Sequence, residues 1–259
     1  MTANELLQKL IVDSGTLRET TCDRVLAGDG NRDIHTIATC FKASAEVISK
    51  AAGMGAELLI THEPMFAFGE LREQARGIDL EKWRLLDETG LVVLRFHDYA
   101  HETDPDYIHA GFLDAIGLKI EHKYPRESLG VRRYVLKDTT TPIEITNLIK
   151  QKLNAETPRI VGCRDNRVKT VCLALGSIGL QQVNILMDPD CDLLIAGEVG
   201  EVNDCAYVRD MTYFGYEKSM LLLGHCTSEF AGMRLLAKKL TELGFPAEYI
   251  HCGEVYSGI

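Results

Sequence analysis

The chain has 259 residues, 46% of them hydrophobic and 25% charged, with a formal net charge of −10. That length suits one large domain or two medium lobes with a full core, and the composition is that of an ordinary globular protein. The acidic balance argues against a nucleic-acid backbone as the main partner, a role that takes Lys/Arg-rich faces, and no apolar run approaches the roughly 20 residues of a membrane span.

Met1–Leu10 mixes Asn4, Glu5, Gln8 and Lys9 with apolar residues and reads as an amphipathic helix rather than a signal peptide. Arg18–Asp33 is rich in Gly, Asp and Arg and reads as loop. Thr36–Phe41 predicts a strand. Ser44 is the natural N-cap of the following helix, whose stripe is Val47, Ile48, Ala51 and Ala52 and whose end is marked by Gly53 and Gly55. Leu58–Thr61 is a short apolar or β-branched run, as in a strand buried on both faces of a parallel sheet. It completes a β-α-β unit, and Pro64 prevents the strand from continuing. Met65–Gly77 reads as a loop beside the strand end. Leu80, Trp83, Leu85 and Leu86 mark a helix that Gly90 terminates, and Leu91–Phe96 is a third strand. After an acidic stretch (Asp98, Glu102, Asp104, Asp106), Thr103 or Asp104 caps a helix with Pro105 in its first turn and Ile108, Phe112, Leu113 and Ile116 on one face.

A second lobe is expected from Tyr124, which divides the chain into lobes 1–123 and 124–259. Its predicted strands are Val131–Leu136, Arg159–Cys163, Val168–Leu175, Cys191–Ala196, Met220–Leu223 and Glu248–Cys252. Its predicted helices begin at Thr141-Pro142 and span Gln181–Met187, Asp204–Tyr213 and Thr227–Leu243. Gly176 and Gly179 make a turn, without the glycine pattern of a phosphate-binding loop. Both halves alternate β and α, so the expected class is α/β. The eight cysteines include no C-x-x-C pair and lie mostly inside apolar runs. They read as small buried hydrophobes in a reducing cytoplasm. Cys226, directly after His225, is open to a ligand or thiol role as well.

Three of these strands end in histidine and glutamate. Leu58–Thr61 runs into His62-Glu63, the third strand into His97 with His101 four residues on, and Met220–Leu223 into Gly224-His225 with Glu229 four residues on. Open parallel sheets build their sites outside the carboxyl ends of strands. Spacings of four place both side chains on one face of a helical turn. Imidazole and carboxylate together suit zinc, manganese, iron or nickel. Six donors exceed what one tetrahedral ion needs and fit two ions with a bridging carboxylate and water. Glu229, expected in the first turn of a helix, is the chosen bridge, because the macrodipole favours its ionised form. His35, His109, His122 and His251 are read as ordinary surface or core histidines. Glu198 and Glu201, after another strand end, read as rim residues or as solvated loop.

These motifs resemble those of the NIF-three-like family, the type 2 GTP-cyclohydrolase-I-like proteins with a dinuclear metal centre. Thr61-His62-Glu63-Pro64 is similar to its T-H-H-P, His97-Asp98-Tyr99-Ala100-His101 to its H-T-N-L-D, and Gly224-His225-Cys226-Thr227-Ser228-Glu229 to its G-H-x-x-[ST]-E. Asp192–Glu198 resembles its D-x-x-x-T-G-[ED] strand. Order and approximate spacing agree along nearly the whole chain. Glu63 and His101 exchange an imidazole and a carboxylate relative to the family pattern, which leaves donor count and ligand charge unchanged. A histidine pair that the family often carries after the T-G-E strand is replaced by Glu201 and Val202.

The resemblance implies two α/β lobes with mixed, mostly parallel sheets around a central cleft, with no mid-chain insertion. It implies two divalent ions (zinc, iron or manganese) held by His62, Glu63, His97, His101, His225 and Glu229, with His97 and Glu229 as the catalytic pair. It implies a homohexamer, a trimer of dimers, while the cytoplasm is expected from the acidic charge and the buried thiols. Hydrolysis of a small molecule follows as the expected activity, by ring opening of a nucleotide or related heterocycle or by phosphoester cleavage. The alternative is a non-catalytic metal-binding or metal-handling hexamer, or an interaction scaffold.

Overall fold

The computed structural model of the chain describes residues 1–125 and 130–256. They fall into two compact units, Met1–Gly111 with Gly232–Gly253, and Phe112–Ala231 with the chain from Glu254. Both are mixed α/β, built on one sheet each.

In the first unit, α1 (Ala3–Ser14) starts at a capping box of Thr2 and Glu5 and ends at Gly15. Strands β1 (Arg24–Ala27), β2 (Ile37–Lys42), β3 (Leu58–Glu63), β4 (Val92–Arg95) and β11 (Ala247–Tyr249) form a sheet in the order β1-β4-β3-β2-β11. β2, β3, β4 and β11 run parallel, and β1 pairs antiparallel to β4. Helix α2 (Ala45–Gly53) connects β2 to β3, with the Ser44 hydroxyl accepting from the Val47 N–H at 3.2 Å. Helix α3 (Ile78–Thr89) connects β3 to β4 and ends at Gly90.

Leu58, Leu59 and Ile60 are fully buried, so both faces of β3 are covered, as a continuous apolar run demands. Leu59 and Val93 pack with Val47, Ile48 and Leu86 from α2 and α3. From the sheet's other face, the Thr39 hydroxyl donates to the Met233 carbonyl at 2.8 Å. Met233 lies in α9 (His225–Glu242), a helix whose residues divide between the units.

The second unit holds β5 (Ile120–Lys123), β6 (Arg132–Thr140), β7 (Arg159–Gly162), β8 (Val168–Ser177), β9 (Leu193–Glu198) and β10 (Ser219–Leu222), in the order β5-β6-β8-β9-β10-β7. Only β8, β9 and β10 run parallel, and β5, β6 and β7 are antiparallel additions. Helix α6 (Pro142–Leu153) opens on a capping box of Thr141 and Glu144. Cys172, Leu194, Ala196 and Met220 form the core with Val183 of α7 (Leu180–Val183), with Leu186, and with Val208 and Met211 of α8 (Ala206–Tyr213).

Three elements depart from expectation. β1 lies inside the segment expected to be loop, and β5 lies unannounced within the expected first lobe, at its end, yet pairs with β6 in the second sheet. Each is a four-residue edge strand with at most three apolar residues, too short to show a period. The closing strand, expected in the second lobe, pairs with β2 in the first sheet. Among the described residues, no helix is long and apolar enough to cross a membrane.

Replacing Ser44 with Ala should lower stability by about 1 kcal/mol by orphaning an N–H of the first turn of α2. The urea midpoint measures this, with an unchanged slope expected.

Candidate metal centre

In the first unit the parallel strands β3 and β4 end side by side. The Phe96 N–H donates to the Thr61 carbonyl at 2.9 Å, which holds the two strand ends in register. His62 is fully buried, with Nδ1 3.1 Å from the Phe96 carbonyl. A carbonyl only accepts, so Nδ1 carries the proton and Nε2 the lone pair. The rings of His62 and His97 stack with centroids 4.5 Å apart, and His101 stands edge-on to both at 5.2 Å. One ring nitrogen of each lies within 4.8 Å of the others, a spacing that could hold one ion. Glu63 Oε1 is 3.5 Å from His97 Nε2. The first unit thus brings together His62, Glu63, His97 and His101.

His97 precedes and His101 sits within a five-residue helix, α4 (Asp98–Glu102). Alone, so short a helix is unstable. It is fastened by Asp23, whose buried carboxylate accepts the N–H groups of His97 (2.6 Å), Asp98 (3.0 Å) and Tyr99 (2.9 Å). Two further carboxylates orient the imidazoles. Asp98 Oδ1 stands 3.0 Å from His97 Nδ1, while its Oδ2 accepts from the Cys22 N–H and the Thr21 hydroxyl. Burial opposes ionisation of Asp98, yet the Cys22 N–H, the His97 imidazole and the Thr21 hydroxyl hold it well below the ordinary carboxylate range.

Asp106 Oδ2 lies 3.4 Å from His101 Nδ1, while its Oδ1 accepts from the N–H groups of Ile108 and His109. Asp106 therefore caps α5 (Tyr107–Ile116) jointly with Thr103, an expected cap, whose hydroxyl accepts the Tyr107 N–H at 3.1 Å. Burial opposes its ionisation too, but the His101 hydrogen bond and the charges of His109 and His101 keep it well below the usual range. Beside these groups, burial pushes the Cys22 thiol up to about 12.

In the second unit His225 opens α9, two residues earlier than expected. Glu229 consequently lies a full turn inside the helix, not in its first turn, so the macrodipole no longer favours its ionised form appreciably. Glu229 is almost fully buried, with Oε2 3.2 Å from His225 Nε2. Glu198, at the end of β9, puts Oε2 3.2 Å from His225 Nδ1, so it is a partner of the site and not merely solvated.

Two glycines make this corner possible. A β-carbon on Gly176, where φ is +79°, would stand 2.4 Å from Glu229 Oε1. One on Gly197 would stand 2.2 Å from the Gly176 carbonyl and 2.6 Å from Ser228 Oγ. The Ser228 hydroxyl accepts from the Gly176 N–H at 3.0 Å and donates to the His225 carbonyl at 2.8 Å.

All four histidines thus show one pattern: Nδ1 faces an oxygen of Phe96, Asp98, Asp106 or Glu198. Histidines that ligate metals are supported in the same way, by an oxygen on Nδ1 that fixes the tautomer and presents Nε2. Glu63 in the first unit and Glu229 in the second each add a carboxylate beside imidazole, a donor chemistry that suits zinc, iron or manganese. Asp23 escapes the sequence reading, in which Gly176 stands only as a turn and Gly197 and Ser228 only inside quoted motifs. Asp98 and Asp106 had been visible only as an acidic stretch, and nothing in the sequence ties Asp23 to residues 97–99.

The comparisons agree with this architecture. The family model for Duf34/NIF3 (NGG1p interacting factor 3) matches residues 23–252, and the chain belongs to that family. A curated relative from Clostridium perfringens (strain 13 / Type A), named GTP cyclohydrolase 1 type 2 homolog, is 25% identical over 227 residues, 84% of this chain and 82% of that protein. Among solved structures, protein ybgI, described as of unknown function, superposes with a TM-score of 0.79 at 20% identity, covering 99% of this chain and 100% of its own. HcgD from Methanocaldococcus jannaschii gives 0.72 at 16% identity, covering 97% of both chains. A Bacillus cereus protein related to NIF3 gives 0.71 at 12% identity, covering 100% of this chain and 99% of that one. At such identities these likenesses establish the fold.

Asp23→Asn replaces one acceptor oxygen with an amide that faces N–H donors. It should cost about 1–3 kcal/mol and loosen α4, seen as a lower urea midpoint together with weaker zinc uptake. Gly176→Ala should cost a similar amount, about 1–3 kcal/mol, by forcing a left-handed backbone on a residue with a side chain. It should also displace Glu229, so zinc uptake falls further than with a control such as Gly215→Ala.

Proposed function

We propose that this protein is a metal-dependent hydrolase whose centre takes two divalent ions on His62, Glu63, His97, His101, His225 and Glu229. Residues 1–123 would supply the first four donors and residues 124–259 the last two. The observation that supports this most directly is the shared anchoring of the four histidines through Nδ1. Surface histidines have no reason to share it, whereas ligating histidines do. Divalent ions at these donors would supply Lewis acidity and water of lowered pKa.

The chain's own residues have separate parts in this reading. His62 and Glu229, both buried, are rigid donors. His97 is part-exposed, with Nδ1 on Asp98 and Nε2 toward Glu63, and has one of two parts: a sixth ligand, or the proton carrier beside ions held by the other five. Asp98 would stabilise its imidazolium form and hold the ring orientation. His101, braced by Asp106, replaces the family's carboxylate, while Glu63 replaces an imidazole. The relative's name, a homolog of GTP cyclohydrolase 1 type 2, points to hydrolytic opening of a nucleotide or related heterocycle. Phosphoester cleavage draws on the same chemistry. The resemblance also supports a homohexamer, a trimer of dimers, and the acidic charge and buried thiols support the cytoplasm.

Elemental analysis of protein purified without chelator or metal-affinity tag should find about two equivalents of a transition metal per chain. His101→Ala and Glu229→Ala should each lower that content and abolish turnover. Metal content near zero after reconstitution would overturn the site. Full metal without turnover of nucleotides, phosphoesters or cyclic amides would leave the alternative, a non-catalytic metal-binding hexamer or scaffold.

A further inference from the structure

Arg24 of β1 and Arg95 of β4 are register partners, directly opposite one another on antiparallel strands. Like charges in that position repel and destabilise the pair. Both guanidinium groups meet one carboxylate, that of Glu70 in the loop after β3: Arg95 Nη1 lies 3.0 Å from Oε1, and Arg24 Nη2 bonds Oε2. Arg95 is largely buried, and its Nε donates to the carbonyl of His62 at 3.3 Å. The arginine pair therefore stands beside the histidine cluster.

The neighbouring acids are otherwise committed. Asp23 accepts three backbone N–H groups, and Asp98 serves Cys22, Thr21 and His97. The base of the same loop meets two more cations, because Lys42 donates to the Pro64 carbonyl at 2.7 Å and Lys82 to that of Met65. These cations share the end of the sheet with the carboxylates of Glu63, Glu70 and Asp79, of which Glu70 is the one bonded to both arginines.

We propose that Arg24 and Arg95 form a binding site for a phosphoryl group of the substrate, with Glu70 as an internal carboxylate that occupies it until the ligand displaces it. The inference rests on the reading of the strand ends as a reaction site, and it adds the place where a phosphoryl group of the substrate would be held. Two convergent guanidinium groups match the oxygens of a phosphoryl group better than those of one carboxylate, because they offer more donors than a carboxylate can accept. Glu70 needs only a side-chain rotation to leave, since the loop is held independently. The N–H groups of Ala67 and Phe68 donate to Asp79, and Arg72 pairs with Asp87.

The test uses the full chain freed of metal with a chelator, so that it reads anion binding without metal or catalysis. Inorganic pyrophosphate is titrated by calorimetry into wild type, Glu70→Gln and the double variant Glu70→Gln with Arg95→Gln. Glu70→Gln should bind pyrophosphate about tenfold more tightly than wild type, the worth of one charged hydrogen-bond partner released, and the double variant should lose that gain. An unchanged affinity in Glu70→Gln would overturn the proposal, and so would an equal gain for acetate.

A second measurement guards against misfolding of the Glu70 variant. Wild type should broaden the phosphorus resonance of pyrophosphate, and Arg24→Gln, a change at a half-exposed side chain, should reduce the broadening. Absence of broadening with wild type would overturn the proposal. Failure here with a full complement of metal would leave the hydrolase reading standing, and tight pyrophosphate binding by a chain that takes no metal would do the reverse.

Discussion

The contact between His62 Nδ1 and the Phe96 carbonyl is the constraint on which the first half of the site depends. It forms only if β3 and β4 are parallel and in their observed register, Leu58 opposite Val92. A slip by one residue would turn His62 to the other face of the sheet. The register is secured by apolar burial far from the chemistry: Leu58, Leu59, Ile60, Val92, Val93 and Leu94 are all fully buried. The hydrophobic core therefore aims the imidazole, and the carbonyl then selects its tautomer.

Around that contact, each carboxylate is divided between two tasks. Asp98 orients His97 with one oxygen and ties the chain at Thr21 and Cys22 with the other. Asp106 caps α5 with one oxygen and braces His101 with the other. Asp23 converts a helix too short to persist into a fixed platform. Such sharing makes local folding and the geometry of the histidines one cooperative property, because a buried acceptor that loses its donors is costly. In the second unit the same end is reached through close backbone approach: Gly176 and Gly197 leave room for Glu229 and Ser228.

Electrostatics adds a division of labour within the first unit. Histidines and carboxylates suited to cations gather at the ends of β3 and β4. Arg24, Arg95, Lys42 and Lys82 lie around the loop that leaves β3. The first unit thus sets arginine and lysine side chains next to a cluster of histidine and carboxylate donors, at one end of one sheet.

The sequence by itself determined the buried central strands, the helices with their caps, and the order of the histidine and glutamate motifs. Runs such as Leu58–Thr61 and caps such as Ser44 and Thr141 act through neighbours in the chain, so their meaning is local. The tertiary structure alone decided the edge strands β1 and β5, the return of β11 to the first sheet, the start of α9 at His225, and the partners Asp23, Asp106 and Glu198. Edge strands have too few apolar residues for a period, and their pairing is dictated by the open hydrogen-bonding groups of the strand beside them. Asp23 acts on residues more than seventy positions away, and Gly176 is required only because Glu229 arrives from another element. Contacts of that kind leave no spacing to read, because they come into being only when the core has brought distant segments together.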